Sequence, residues 1–320
     1  MSGLKIDPRL LSEFEEGLNP RFPERSVIPA RVLGYGEIST VLEIGTGAAR
    51  ELAYKRLPMF GSEEEAERYE ALYAEYVQVL QERIGIRVVP SETIRLTGRG
   101  RVIVYIVQEK FPPEAFGHKA IHRLPLDDVE RLVLAALGET KKVFDFNSDE
   151  LAIGFDGQIS NWAILGFDPE APELGEDVEL VYFDTSSPLL RKHSQEQLDP
   201  ELFLRSAPSF LVWIIRLLFL EDVMTRYYDF RHVVVDLIAN FYKEQRPDLI
   251  PGLVDTVNRF FATEVREGRF EPITVKEVRD YYREDAWIWR VYLAFRKMDR
   301  TLHTLLGKEY PYILPEKIQR

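Results

Sequence analysis

Apolar residues alternate with polar ones through the first third of the chain, then recur at helical spacing through most of the remainder. Residues 26–33 (SVIPARVL) and 39–45 (STVLEIG) read as two strands, with GYGE (34–37) as a tight connection between them. A turn at Gly45-Thr46-Gly47 leads to a third strand over 49–57 (ARELAYKRL). Two more, 86–96 (IRVVPSETIRL) and 101–111 (RVIVYIVQEKF), are joined at TGRG as a hairpin. Between the third and fourth strands lies EEEAERYEALYAEYVQVLQERIG, a long helix. Ser62 with Glu65 forms its capping box, and Tyr69, Leu72, Tyr73, Tyr76, Val79 and Leu80 form its apolar stripe.

After Pro112-Pro113 the character changes. Residues 127–144 (DDVERLVLAALGETKKVF) are helical, and helical patterns with aromatic stripes dominate from about 200 to 306. The fold class that follows is α+β: a small part, 1–111, with a five-stranded antiparallel sheet and one long helix, and a larger, mainly helical part, 112–320.

Composition narrows the chemistry. The 41 basic and 53 acidic residues give a formal charge of −12, which disfavours capture of nucleic acid or of an anionic membrane. With no cysteine there is no disulfide, thiolate metal site or cysteine nucleophile. The five histidines show no metal-ligand spacing. The start, MSGLKIDPRLLSEFEE, carries acids where a signal peptide would be apolar. The longest apolar run, FLVWIIRLLFL (210–220), holds Arg216, is too short to span a bilayer, and reads as a buried helix. A cytoplasmic location is the expectation.

The candidate chemistry lies in six places. Gly34 and Gly36 flank the first turn, Lys55 sits in AYK on the third strand, and the long helix carries Glu70 and Glu75. Gln108 and Glu109 end the fifth strand. GFDGQISNWAIL (154–165) sets Asp156 ahead of Asn161 in D-x-x-x-x-N spacing, before an apolar run. VELVYFDTSSPLL (178–190) is an apolar strand reaching Asp184. In isolation each has an ordinary reading as a turn, a solvated charge or a loop cap.

Taken in order, these parts resemble the protein-kinase-like fold, nearest the phosphotransferases that act on choline or aminoglycosides. The resemblance implies two lobes and ATP (or GTP) with Mg2+ as cofactors. It implies that backbone at Gly34 and Gly36 approaches a polyphosphate, and that Lys55 reaches the α and β phosphates. Lys55 would be held by Glu75 or Glu70, with Glu75 preferred for its distance to the next strand. Backbone at Gln108 and Glu109 would meet the adenine, Asp156 would take the proton of an acceptor hydroxyl, and Asn161 with Asp184 would hold Mg2+. The sequence departs from that pattern at three points: Gly154-Phe155 replaces His-Gly, Gln158 replaces a basic residue, and Asp184-Thr185-Ser186 lacks an apolar second member.

The function expected is transfer of a γ-phosphate to a hydroxyl of a small molecule. A catalytically weak or inactive kinase-like module that binds nucleotide or a partner is the alternative. For the acceptor, a cationic molecule is one candidate, because Tyr281, Tyr282, Trp287 and Trp289 stand beside Glu284 and Asp285 in a late segment.

Overall fold

A computed structural model describes residues 4–316 apart from 37, 46, 99, 206–223 and 265–269. The chain is α+β. Five strands form one antiparallel sheet: β1 (Ala30–Tyr35), β2 (Thr40–Ile44), β3 (Leu52–Phe60), β4 (Ser91–Gly98) and β5 (Arg101–Glu109), in the order β1-β2-β3-β5-β4. The middle strands read as continuous apolar runs because both of their faces are covered. On one face lies α1 (Pro8–Gly17), which packs Leu11 and Phe14 against Leu42, Ile44, Tyr54 and Tyr105. On the other lies α2 (Glu63–Gln78), which buries Tyr69, Tyr73 and Tyr76.

Helix α1 was not anticipated, although Asp7 caps it by accepting from the N–H groups of Arg9 and Leu10, and Pro8 stands at its first position. The predicted helix after Ser62 ends earlier than its apolar stripe. The chain continues in a π-helical turn, Val79–Ile84, and leaves it at Gly85, whose φ of 85° suits a residue without a Cβ.

The first connection also shifts. Gly34 and Tyr35 close β1, and the turn is made where the Gly36 N–H donates to the Ser39 carbonyl at 3.0 Å. Residues 86–90 do not start β4 as expected. Val88 instead bridges Tyr182 in parallel, and the Val89 N–H donates to the Tyr182 carbonyl. That bridge ties the first sheet to the strand that precedes Asp184.

Beyond residue 112 come α3 (Leu126–Phe146), β6 (Leu151–Ile153), β7 (Trp162–Ile164), β8 (Leu180–Tyr182) and β9 (Leu190–Lys192). The helices α4 (Phe230–Lys243), α5 (Ile250–Glu264) and α6 (Val275–Leu305) follow. One large core runs from the α2 side of the sheet through α3, the short strands, α4 and α5. After α6 the chain returns to the first sheet, where Ile313 packs with α1 and the Pro311 carbonyl accepts from Arg56 at 2.7 Å. The run 210–220 and residues Glu37, Thr46 and Arg99 of the expected turns lie outside the described residues. Among those described, no helix is long and apolar enough to cross a membrane.

Candidate functional site

Alternation along β3 sends Lys55 and Arg56 to opposite faces of the sheet. Lys55 faces α2. Its ammonium donates to Asp184 Oδ1 at 2.9 Å and to Ser186 Oγ at 3.2 Å, and Ser186 Oγ donates in turn to Asp184 Oδ1 at 3.0 Å. Burial pushes the Asp184 carboxyl up, but the charge and hydrogen bonds of Lys55 and Ser186 bring it below the usual carboxylate range. Asp184 lies just past β8, which ends at Tyr182 rather than running on to the acid.

The loop from Gly154 to Asn161 is seated on packed aromatic rings. Phe155 stacks on Tyr182 with centroids 4.5 Å apart, and both contact Trp162. The Tyr182 hydroxyl and the Asn161 Nδ2 both donate to the Asp156 carbonyl, at 3.1 and 3.2 Å. The Phe183 N–H donates to the Asn161 carbonyl at 2.9 Å, so the two loops are joined through their backbones. There is little room for a side chain at 154. A Cβ on Gly154 would lie 2.7 Å from Leu189 Cβ and 3.0 Å from the Tyr228 ring.

Asp156 is raised well above the ordinary carboxylate range, first by burial and then by the nearby charges of Asp236 and Asp184. Gln158, standing where a basic residue was expected, is held by protein. Its Nε2 donates to Asp236 Oδ2 at 2.8 Å, and its Oε1 accepts from Asn240 Nδ2 at 3.2 Å. Gln158, Asp236, Asn240, Lys243, Tyr281, Tyr282 and Asp285 line a small cavity beside the loop. Asn240 is 3% exposed and its Oδ1 has no hydrogen-bond partner among the described residues. A buried acceptor left unmatched is costly, and here it borders a cavity.

Several expected site residues are placed elsewhere. Glu75 pairs with Lys192 at 2.7 Å and Glu70 lies 3.6 Å from Arg95, so neither glutamate holds Lys55. The helix face toward Lys55 presents tyrosines instead. Gln108 is buried and donates through Nε2 to the Phe183 carbonyl at 3.2 Å, while Glu109 is exposed. The Glu109 N–H already donates to the Pro90 carbonyl, and that of Lys110 to Glu51. Of the late acidic-aromatic run, only Tyr281, Tyr282 and Asp285 reach the cavity, because they share one face of α6. Trp287 is 58% exposed, Trp289 packs edge-on against Tyr292, and Glu284 pairs with Arg226 at 2.9 Å.

Three residues of this site were missed from sequence: Ser186, Asp236 and Asn240. The signal for the last two was present, since an acid and an amide one helical turn apart interrupt the apolar VVVDLIANF.

Fold and site together define an α+β protein in which a buried lysine pairs with a partly exposed aspartate, near a small cavity lined by Asp236, Asp285 and Lys243. The chain belongs to a family of unknown function (DUF6206), whose model matches residues 26–301. No curated protein matches it.

Proposed function

We propose that this chain is a phosphotransferase that moves the γ-phosphate of ATP or GTP to a hydroxyl of a small molecule, with Mg2+. In this reading the first sheet and α2 form the smaller lobe of a protein-kinase-like arrangement, and the helical part from residue 112 forms the larger. The observation that carries the reading is the convergence of Lys55 with Asp184, with Asp156 close enough to Asp184 to feel its charge. A cation and two carboxylates from three separate segments suit a polyphosphate, its counter-ion and a proton acceptor.

The donors fit Mg2+. It prefers oxygen, and usually combines one or two protein carboxylates with phosphate oxygens. Asp184 offers a carboxylate. Asn161 has its Nδ2 engaged by the Asp156 carbonyl, which leaves Oδ1 to coordinate. Among the described residues no three His, Cys, Asp or Glu side chains are grouped to hold a metal ion, so phosphate oxygens would complete the shell. The ion would offset charge on the β and γ phosphates. Lys55 would hold the α and β phosphates, and Asp156 would accept the hydroxyl proton at its carboxylate. A raised pKa suits that task, since a base works best when its pKa lies near the working pH.

The acceptor would lie at the mouth of the small cavity lined by Gln158, Asp236, Asn240, Lys243, Tyr281 and Asp285, reaching into it with one polar group. Its lining carries two carboxylates against the one ammonium of Lys243, so a ligand with N–H donors and positive charge is favoured by a single net charge. Tyr282 supplies an aromatic face there and is backed by Tyr242, whose ring stacks on it at 5.0 Å.

A thermal-shift titration with ATP and GTP, with and without Mg2+, tests the nucleotide site on wild type and Asp184→Asn. Saturation at about a hundred times Kd stabilises a native-state binder by roughly 2.7 kcal/mol. A magnesium-dependent shift lost in Asp184→Asn, followed by transfer to a hydroxyl panel, supports the proposal. No shift with either nucleotide sinks it.

A second reading, a binding module with little or no transfer, is favoured by the engaged amides at Glu109 and Lys110 and by the neutral Gln158. Asp156→Asn separates the two. An enzyme loses turnover and keeps nucleotide, whereas a module has no turnover to lose.

A further inference from the structure

Helix α2 meets the site with hydroxyl groups. Its carboxylates are turned outward: Glu75 to Lys192, Glu65 to Arg205, and Glu63, Glu67 and Glu70 to Arg95. Its inward face is Tyr69, Tyr73 and Tyr76, spaced so that all three point one way. The Tyr69 hydroxyl donates to the Ser186 carbonyl at 2.8 Å, Tyr73 shares a hydrogen bond with Thr185 Oγ1 at 3.1 Å, and Tyr76 donates to the Gly154 carbonyl at 3.2 Å. The helix therefore grips the segment after Asp184 and makes no ion pair with Lys55.

We infer that Ser186 is the positioning residue for Lys55, and that α2 fixes it through Tyr69. An ammonium has three donors, and the two placed here go to Asp184 Oδ1 and Ser186 Oγ. The two acceptors differ in what holds them. Asp184 keeps 31% side-chain exposure and is the oxygen donor a cation would engage. Ser186 is buried, and its backbone is tied to Tyr69, independently of Asp184. When Asp184 engages a cation, Ser186 Oγ is the contact that keeps Lys55 in place. The hydroxyl does here what a helix carboxylate was expected to do, without adding a second opposite charge to that of Asp184.

The phosphate-clamping purpose of Lys55 rests on the proposed function, but its positioning does not, so the test uses the full chain without nucleotide. Lys55 is modified with an amine-reactive reagent under native conditions, with and without Mg2+, and followed by peptide mass spectrometry. Ser186→Ala is expected to speed modification of Lys55 severalfold, Ser186→Thr to restore the wild-type rate, and Tyr69→Phe to give an intermediate increase. Thr185→Val is the control, because it removes the Tyr73 anchor while keeping the Ser186 hydroxyl. Modification in Ser186→Ala at the wild-type rate overturns the inference. So does Thr185→Val matching Ser186→Ala, which would mean general loosening of the segment. An absent nucleotide response would sink the phosphotransferase reading and leave this one standing. Unchanged Lys55 modification beside a normal nucleotide response would do the reverse.

Discussion

Lys55 and Arg56 are neighbours on the central strand, both cationic and both buried, yet they face different worlds. Arg56 donates to both oxygens of Glu15, at 2.5 and 3.0 Å, and to the Pro311 carbonyl. Tyr105 also donates to Glu15, so the members of that group are matched by one another and by backbone. Lys55 is bound to a partly exposed aspartate that has a second acid, Asp156, near enough for their charges to interact. A buried cation whose donors are matched by enclosed protein groups joins elements, here α1, the sheet and the chain's return. One held by an acid that still meets solvent is free to exchange partners. Burial and charge alone would not separate the two roles; the partners do.

The sharpest way to break this contrast is to remove each cation. Arg56→Ala leaves Glu15 buried without its partner, and losing one member of a buried pair costs about 3–5 kcal/mol. Chemical denaturation should show that loss, while any magnesium–nucleotide shift persists in the fraction that folds. Lys55→Met should do the opposite, with a smaller loss of stability and no nucleotide response. Equal destabilisation by both variants would erase the distinction. A pH series sharpens it. Asp184 has a lowered pKa, so its contribution is present above the unfolded value of about 4 and is lost as pH falls through the folded value. Lys55→Met should abolish that acid-side loss.

The acids extend the comparison. Asp156 is crowded by Asp236 and Asp184, and its pKa is raised. The folded chain therefore keeps a proton that the unfolded chain releases above about pH 4. The stability from that proton is complete below about pH 4 and drains away as pH rises through the folded-state pKa. Asp156→Asn should then be more stable than wild type at pH 8, by a margin that shrinks toward pH 5. The same variant should lose turnover by about 10²–10⁴-fold, the usual range for a positioned base. A variant that is less stable at pH 8 would mean that Asp156 is satisfied in the fold.

At the cavity beside the Asp156 loop the expected effect is smaller. Asp236→Asn keeps the shape of the Gln158 partner and removes one charge from the lining. KM for a cationic acceptor should rise by about tenfold, close to 1.4 kcal/mol, with little change for a neutral one. Equal changes for both would make Asp236 a support for Gln158 and not a recognition group.

How much of this could be read from the chain differs by scale. Five strands, the long helix and the order of the candidate residues were legible, because two-sided burial and helical stripes leave strong periodic signals. Of the candidate site, two pairings are seen: Lys55 bonds Asp184 across segments, and Asn161 bonds the Asp156 carbonyl within one loop. The partners were not legible. Tyr69, Tyr73 and Tyr76 were read as an apolar stripe, since a pattern of burial does not reveal where a hydroxyl points. Val88 and Val89 were read as the start of a strand and instead bridge to Tyr182, because extended backbone can pair with either of two neighbours. Non-local pairing is set by the whole fold, and one sequence gives little hint of it.

Glu75 gives the smallest expected effect and the cleanest test of that distinction. Its pair with Lys192 is open to water, with side chains 39% and 43% exposed, and such pairs contribute about 0–1 kcal/mol. Glu75→Gln should therefore leave stability nearly unchanged, and should leave the nucleotide response and the modification rate of Lys55 untouched. Comparing it with Ser186→Ala in one experiment asks which residue Lys55 depends on. Were Glu75→Gln to abolish the magnesium–nucleotide shift while sparing stability, α2 would have to turn when ligand binds, bringing Glu75 off Lys192 and onto Lys55. The tyrosine contacts that hold the Asp184 segment would then have to break in the same motion. Three buried hydroxyls matched to two loops make such a turn costly. That cost is the reason to expect Glu75 to stay with Lys192 and Ser186 to keep Lys55.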